Sequence, residues 1–312
     1  MNELQVVNGG AMIAPQDITE EAYRRFIAFI DAKPKTIETY TRALRQLFNY
    51  FSLKGITRPR REDILAFRDE LKQSHKPTTV QNYITATRLF FQWTEQERVY
   101  PNVADHIKGA TISKEHKKDY LTSKQVKVVL DAVERDTLQG LRDYAILALM
   151  VTGGLRTVEV IRANVEDLRA AGDNTVLYIQ GKGMEEKTDY IKVQPEVERA
   201  IREYMKALGA ADQKQPLFIS EANRNKGERL TTRSVSRIVK GRLQAAGFDS
   251  ERLTAHSLRH TAVTLSLLGG KTIQEAQQFA RHSNIATTQV YAHNLDRARN
   301  NCEEVIAKAI FK

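Results

Sequence analysis

The sequence has only one cysteine, Cys302, so the chain cannot form an internal disulfide bond. It contains no group of Cys and His residues at the spacing of a zinc site. It also lacks an apolar run long enough to cross a membrane. The first residues, MNELQVVNGGAMIAPQD, have no basic segment followed by an apolar core, unlike a secretory signal. These absences predict a protein of the reducing cytoplasm.

Acidic residues are in the minority among the charged ones. The 312 residues include 48 Lys and Arg but only 38 Asp and Glu, which gives a formal net charge of +10. A surplus of this size favours a polyanionic partner, either nucleic acid or an acidic membrane surface, without choosing between them. The length allows two domains, and the 41% of apolar residues is enough to build a core in each.

The first hundred residues are dominated by helical patterns. Residues 1–17 mix Gly, Pro, Asn and small apolar residues without a period, and we predict a flexible tail there. Residues 18–100 space their apolar residues by three and four, as amphipathic helices do. The expected helices cover 18–30 and begin near Thr36, which is predicted to be an N-cap, and near Arg61 and Thr78. The openings PKTIETY and KPTTVQNY are alike, which favours paired helical hairpins.

The remainder of the chain is expected to form a second domain. Residues 101–120 are polar and lysine-rich and open with a proline, so we predict a linker. In the domain 121–312, the runs TVLYIQ at 175–180 and DYIKV at 189–193 predict a β-hairpin. Helices are expected after Thr122 or Ser123, at 140–151, 195–208, 231–246, 257–268 and 272–280, and after Tyr291. The predicted fold is therefore mainly α with a small β-sheet.

Two arginines have the chemistry that binds a phosphate. Arg156 follows Gly153 and Gly154, where a helix is expected to end and the chain can turn sharply. His256 and Arg259 are three residues apart at a helix start and can share one face near the positive end of the helix dipole. A guanidinium matches a phosphate with paired hydrogen bonds and stabilises the negative charge that develops during its cleavage. Taken singly, each of these residues is better explained as a surface charge.

Two further residues have the chemistry of phosphodiester cleavage. Lys182 lies between two glycines at the tip of the predicted hairpin, where an ammonium can protonate a leaving alkoxide. Tyr291 has an ordinary pKa of about 10 and becomes a nucleophile only where positive neighbours stabilise its phenolate. His282 precedes it by nine residues. His260, which directly follows Arg259, is expected to face a different way from His256 and Arg259 and to be structural.

In their order and local context, these residues resemble the tyrosine recombinase family, also called phage integrases, and most of all its short Xer-type bacterial members. That family has an Arg in a TGLR-x-x-E context, a Lys on a β-hairpin, an H-x-x-R box, then a His or Trp, and a Tyr nine residues later. The resemblance covers about residues 18–312. It identifies as site residues Arg156, Glu159, Lys182, His256, Arg259, His282 and Tyr291.

Two positions depart from the family pattern. Gly153 stands where a Thr usually precedes the Gly-Leu-Arg, and Ala280-Arg281 stands where Leu-Gly usually precedes the His. Neither change removes a functional side chain. Arg281 is expected to be able to add a phosphate contact.

The resemblance implies both the domains and the chemistry. Residues 18–100 would form a helical core-binding domain, and 121–312 an α+β tyrosine recombinase catalytic domain with a C-terminal oligomerisation helix. Tyr291 would attack a DNA phosphate and form a 3′-phosphotyrosine link, which a 5′-hydroxyl of the partner DNA then reseals, without cofactor or metal. Glu159 would support this site by orienting Arg156 or His256.

The roles of the other site residues also come from the resemblance. Arg156, Arg259 and His282 would stabilise the five-coordinate phosphorus of the transition state. His256 would handle the proton of the tyrosine, and Lys182 would act as the general acid.

The implied partner is double-stranded DNA, held between the two domains with the linker crossing the duplex. Four protomers would act on two duplexes, as a homo-tetramer or with a paralogous recombinase, helped by DNA-bending or excisionase proteins. An apolar stripe predicts a terminal helix that docks on a neighbouring protomer or on its own: Val305, Ile306, Ala309 and Ile310. Two other interpretations stay open, a type IB topoisomerase-like relaxing enzyme and a catalytically inactive DNA-binding regulator. The sequence does not separate integration or excision of a mobile element from Xer-type resolution.

Overall fold

The computed structural model describes residues 5–6, 12–13, 17–18, 20–112, 119–181, 184–210, 212–299 and 302–311. The chain divides into two compact units, Met1–Lys114 and Glu115–Lys312. The division falls inside the segment 101–120 that was predicted to be a linker. Lys182, the predicted general acid, lies outside the described residues.

Among the described residues, the first unit contains four helices and a pair of very short strands. The strands β1 (Gln5–Val6) and β2 (Met12–Ile13) pair antiparallel within the segment predicted as a flexible tail. The helices are α1 (Glu20–Phe29), α2 (Pro34–Lys54), α3 (Arg61–Ser74) and α4 (Pro77–Gln96).

Prolines set the start of two of these helices. Both α2 and α4 have their proline in the first turn, where the missing N–H costs no hydrogen bond and the fixed φ angle suits a helix. The prediction of Thr36 as the N-cap of α2 was therefore wrong, because the helix begins two residues earlier and its N-cap is Lys33. The helix ends at Gly55, whose φ of 65° is one that glycine adopts without strain.

Aromatic side chains fill the core of the first unit. Phe26 lies between Phe90 and Trp93, with ring centroids 5.4 Å and 5.6 Å away. Val103 and Ile107, which follow α4, are buried in the same core. The first part of the segment predicted as a linker thus packs on this unit instead of lying free.

The second unit contains nine of the helices and a three-stranded sheet among the described residues. Its elements are α5 (Ser123–Asp131), α6 (Leu138–Gly153), α7 (Thr157–Arg162), β3 (Leu168–Ala171), β4 (Asn174–Ile179), β5 (Asp189–Val193), α8 (Pro195–Leu208), α9 (Thr232–Ala245), α10 (Ala255–Leu268), α11 (Ile273–Ala280), α12 (Ile285–Arg299) and α13 (Cys302–Ile310). Single 3-10 turns cover Val165–Asp167 and Asn223–Asn225.

The sheet confirms the predicted hairpin and adds a strand to it. β4 pairs antiparallel with β5, with Leu177 opposite Ile191, and on its other side with β3. The third strand was not predicted, because its sequence LRAA is short, largely exposed and has no alternation of apolar and polar residues.

Helix α6 forms the centre of the second core and places the site. Its apolar residues Ile146, Leu149 and Met150 are buried, and the helix contacts α8, α10 and β5. Its C-cap is Gly154, whose φ is 58°. A Cβ at this glycine would also lie 3.0 Å from the ring of Phe279, so both the contact and the φ angle favour glycine at the turn into the site.

The C-terminal part corrects one prediction about Tyr291. A helix was expected after this residue, but α12 begins at Ile285, so Tyr291 lies inside the helix. None of the helices in the described parts of the chain combines the length and the apolar character needed to cross a bilayer.

Candidate active site

Arg156 lies at the N-cap of α7 and is held there by Glu159. The backbone N–H of Arg156 donates to Oε2 of Glu159 at 2.8 Å, and its Nη1 donates to Oε1 at 2.8 Å. A carboxylate three residues into a helix commonly accepts from the first backbone N–H in this way. Because the same carboxylate holds the guanidinium, the helix start fixes the direction of the Arg156 side chain. The Arg156 side chain is 28% exposed, so a ligand can still reach it.

Arg259 lies in the first turns of α10 and joins two helix ends. It is only 1% exposed. Its Nη1 donates to the carbonyl of Gly154 at 2.5 Å, and its Nη2 donates to the carbonyl of Ala280. These carbonyls lie at the C-terminal ends of α6 and α11, where helix carbonyls lack intrahelical donors and favour a cation. Arg259 thereby brings Arg156 and His282 to one place.

The environment of Arg259 is strongly positive. Burial first of all, and then the charges of Arg156 and Arg281, lower the pKa of Arg259 to about 10, although Glu159 acts to raise it. The guanidinium is still a cation at neutral pH. Positive charge is therefore concentrated where an anion such as a phosphate would be stabilised.

Glu159 is the carboxylate of this cluster and is fully buried. Burial acts to raise its pKa, but the charge of Arg281 and the hydrogen bonds and charge of Arg156 outweigh burial and lower it. Oε2 of Glu159 also accepts from Nη2 of Arg281 at 3.0 Å. The carboxylate thus lies between two guanidinium groups.

His282 follows α11 and is partly buried. Its Nδ1 lies 2.9 Å from the hydroxyl of Thr288. Burial, followed by the charges of Arg259, Arg156 and Arg281, lowers the pKa of His282 to about 4. The imidazole is therefore neutral at physiological pH and can act as a hydrogen-bond donor without adding charge.

Tyr291 is enclosed by aromatic rings. It is 2% exposed, with its ring centroid 4.4 Å from that of His260 and 6.1 Å from that of His282. Burial raises the pKa of Tyr291, although the charges of Arg259 and Arg156 act to lower it. In this conformation the residue is a neutral phenol.

The position of His260 differs from what we expected. We predicted that it faces a different way, but its ring packs directly on Tyr291 and is stacked on Tyr120 with centroids 6.0 Å apart. The reason is helical geometry, since residues four apart lie on the same face and His260 follows His256 by four. That spacing could have identified His260 from the sequence.

His256 lies in the first turn of α10 and is exposed. Thr254 is the N-cap of this helix, and its backbone N–H donates to the hydroxyl of Ser257 at 3.0 Å. His256 is also among the charges that lower the pKa of His282. It therefore lies near the cluster, on the open side of the helix start.

The structure brings most of the predicted residues into one cluster: Arg156, Glu159, His256, Arg259, His282 and Tyr291. It adds Thr288, which sequence reasoning missed because a threonine near a histidine is no signal by itself. Among the described residues, no group of three or more His, Cys, Asp or Glu side chains is arranged to hold a metal ion.

Two family profiles match most of the chain. The sequence profile of the Phage integrase family matches residues 119–298, and that of the Phage integrase, N-terminal SAM-like domain matches residues 22–98. The first match includes all seven predicted site residues.

Curated relatives extend the match over most of the chain. The chain is 30% identical over 285 residues to a protein of Pelobacter propionicus named Tyrosine recombinase XerC, covering 88% of this chain and 90% of that protein. It is 29% identical over 228 residues to a protein of the same name from Caldanaerobacter subterraneus, covering 71% of this chain and 61% of that one.

Solved structures share the fold. The XerH site-specific recombinase, in a post-cleavage complex with a palindromic difH substrate, aligns with a TM-score of 0.73 and 19% identity over 91% of this chain and 84% of that one. A lambda integrase dimer (residues 75–356) bound to a COC' core site gives 0.67 and 17% identity over 86% and 94%. Since a family profile covers more than half of its length, the chain belongs to the phage integrase family.

Proposed function

We propose that the chain is a tyrosine-type site-specific DNA recombinase, which cleaves and rejoins double-stranded DNA through a 3′-phosphotyrosine intermediate. The observation that carries this proposal is the convergence of Arg156, Arg259 and His282 around Tyr291: the ring of His282 lies 6.1 Å from that of Tyr291, and the charges of the two arginines act on the phenol. Two guanidinium groups and a neutral imidazole around one phenol form a site for a phosphodiester under attack. The names of the curated relatives favour a Xer-type reaction.

The two arginines bind the scissile phosphate and stabilise the charge of its transition state. Arg156 is partly exposed and oriented by Glu159, so it can offer paired donors to the non-bridging oxygens. Arg259 is buried and fixed between two helix ends, so its charge needs no reorganisation during the reaction. His282, neutral because of these neighbours, adds a hydrogen bond.

Tyr291 attacks phosphorus once it leaves its enclosed position. Two opposing effects act on the pKa of Tyr291: burial raises it, and the charges of Arg259 and Arg156 lower it. When the burial is relieved, the effect of the arginines dominates and the pKa falls. The exposed His256 accepts the phenolic proton. Lys182 protonates the 5′-oxygen that leaves, which completes the exchange of one phosphodiester for another without loss of bond energy.

The two units divide the work on DNA. Residues 18–100 form the core-binding domain, 121–312 form the catalytic domain, and the segment between them crosses the duplex. The titles of similar solved structures describe a lambda integrase dimer on a core site and a tetramer on a Holliday junction. We therefore infer that four protomers of this chain, or this chain with a paralogous recombinase, act on two duplexes in the cytoplasm.

The helix α13 provides the contact between protomers. Val305, Ile306 and Ile310 are 57%, 56% and 65% exposed, so they do not pack on the described part of their own chain. An apolar face of this kind is stabilised when it docks in a groove of a neighbouring copy.

Covalent capture from a mixture of DNA sequences tests this function and finds the DNA site in the same experiment. Fragmented genomic DNA of the host is incubated with wild-type protein or with Tyr291→Phe, and DNA that stays attached after denaturation is sequenced. We expect one short sequence to be enriched with the wild type and to be absent with Tyr291→Phe. Enrichment that is equal with both proteins would contradict the proposal. Capture without sequence preference, together with relaxation of supercoiled plasmids, would indicate a topoisomerase-like enzyme instead.

A further inference from the structure

We propose that Arg281 is a positioning residue of the active site, which acts on the scissile phosphate through Glu159 and Arg156 and does not touch DNA itself. This inference rests on the proposed function. It concerns a position at which the chain departs from the pattern of its family, with an arginine directly before His282.

Four of the five N–H groups of the Arg281 guanidinium already donate to acceptors within the protein. Its Nη1 donates to the carbonyls of Phe279 at 2.8 Å and Gly153 at 3.4 Å. Its Nη2 donates to Oε2 of Glu159 at 3.0 Å and to the carbonyl of Gly154 at 3.1 Å. The fifth N–H, on Nε, is buried and has no acceptor. The expected phosphate contact of Arg281 would therefore require breaking bonds that already hold it.

The same bonds give Arg281 a second role. Glu159 accepts from Arg156 through Oε1 and from Arg281 through Oε2, so its one negative charge is shared between two cations. Without Arg281, more of that charge would act on Arg156 and would compete with a phosphate for the guanidinium. With Arg281 present, Arg156 stays oriented by Glu159 but keeps more of its positive charge for the ligand.

Arg281 also contacts Arg156 through its backbone. Nη2 of Arg156 lies 3.4 Å from the carbonyl oxygen of Arg281. The backbone of Arg281 is in the left-handed region, with φ 53°, where non-glycine residues are uncommon. The four side-chain bonds hold this conformation. Glycine adopts it without strain, so the substitution Arg281→Gly removes the side chain and is compatible with the backbone.

A double-mutant cycle on cleavage tests the proposal. The substrate is a nicked duplex built on the captured DNA sequence, at saturating concentration, and the readout is the rate of covalent complex formation. We expect Arg281→Gly to slow this rate about tenfold in the wild-type background, less than the loss of a donor that touches the reacting group itself. In a Glu159→Gln background the same substitution should change the rate less than about twofold, since the shared carboxylate charge is already gone.

Two results would overturn the proposal. An equal slowing in both backgrounds would mean that Arg281 acts independently of Glu159, as a structural residue does. The second result would be that Arg281→Gly binds DNA more weakly and that the salt dependence of its DNA affinity is smaller by the amount expected for about one phosphate contact. This result would mean that Arg281 binds DNA directly. Arg135 provides the control, since it pairs with Glu203 on the surface and precedes the opposite end of α6. The substitution Arg135→Ala should leave the rate unchanged.

The experiment remains decisive if Arg281→Gly does not fold. Arg281→Lys keeps one cation and one bond to Glu159, and we expect it to slow cleavage about threefold in the wild-type background and not at all with Glu159→Gln. The same slowing in both backgrounds would overturn the proposal. Absence of any covalent product with the wild-type protein would instead overturn the proposed function, and the role of Arg281 with it.

Discussion

The ring of Tyr291 packs on the ring of His260, with the two centroids 4.4 Å apart and both residues almost fully buried. The nucleophile of the proposed reaction is thus held in the protein interior. The ring that packs on Tyr291 is that of His260, which lies on the same face of α10 as the exposed His256. The two histidines therefore have separable roles, one in packing and one in proton transfer.

The two histidines should respond differently to alanine. We expect His260→Ala to lower the free energy of unfolding by about 2 kcal/mol, because it leaves a cavity between the rings of Tyr120 and Tyr291. His256→Ala should change it by less than about 0.5 kcal/mol, as exposed substitutions do, while slowing cleavage. Urea denaturation of both variants measures the difference. Equal destabilisation by the two substitutions would contradict the packing role of His260.

Arg156 should not be replaceable by lysine. Lysine keeps the charge but loses the planar pair of donors that Glu159 orients. We expect Arg156→Lys to slow formation of the covalent complex on the order of a hundredfold. This is the effect typical of removing one preorganised hydrogen-bond donor that stabilises negative charge in a transition state. Arg135→Lys is the matched control on the surface. A rate for Arg156→Lys within about twofold of the wild type would make Arg156 an ordinary surface charge.

His282 should make stability depend on pH. Its pKa is lowered to about 4 in the folded protein, whereas an unfolded histidine has a pKa of about 6.5. Between these values the unfolded chain binds the proton and the folded protein does not, so stability falls as the pH decreases from about 6.5 towards 4. Below the pKa of His282 in the folded protein, the loss of stability is complete. Above the pKa of the unfolded histidine, there is no loss of stability from this residue.

The substitution His282→Gln isolates this contribution. We expect the stability of the wild type relative to His282→Gln to fall by about 1 to 2 kcal/mol between about pH 7 and pH 5, at up to about 1.4 kcal/mol per pH unit. Denaturation curves at both pH values provide the measurement. A difference between the two proteins that does not change with pH would show that the histidine is not held neutral by its surroundings.

Removal of α13 should affect assembly more than folding. Residues 300–312 are the appropriate segment to delete, because Leu295, in the preceding helix, is buried and has to stay. We expect the truncated protein to bind a single DNA half-site normally and to lose cooperative binding to a two-site duplex, since the apolar face of the helix is exposed on its own chain. Gel shifts on the two substrates measure this. Unchanged cooperativity with a lower melting temperature would show that α13 packs on its own protomer.

The sequence predicted the helical framework because apolar spacing and helix-end residues act locally. Thr122 caps α5 through its side chain as expected, and Gly154 is the C-cap of α6, as the glycine pair indicated. Where two local signals compete, the prediction failed. Thr36 looked like an N-cap, but Pro34 is better suited to a first helical turn and displaced the boundary.

The site itself was predictable in its residue types and not in its contacts. The motif around Arg156 and the box ending at Arg259 indicated the arginines, but no pattern shows that Arg259 joins two helix ends or that Tyr291 is enclosed. Such contacts are made between residues distant in sequence. For Arg281 the signal was a departure from the family pattern, and only its hydrogen bonds show what that side chain does.

The most direct test of the account is to identify the residue that becomes linked to DNA. The covalent complex formed on the nicked duplex is digested with protease and nuclease, and the peptide that carries the remaining nucleotide is sequenced by mass spectrometry. The proposed reaction predicts that the nucleotide is attached through its 3′-phosphate to Tyr291, and that Tyr291→Phe binds the same DNA with nearly unchanged affinity but forms no covalent product. A nucleotide attached to any other side chain, or a covalent product with Tyr291→Phe, would contradict it.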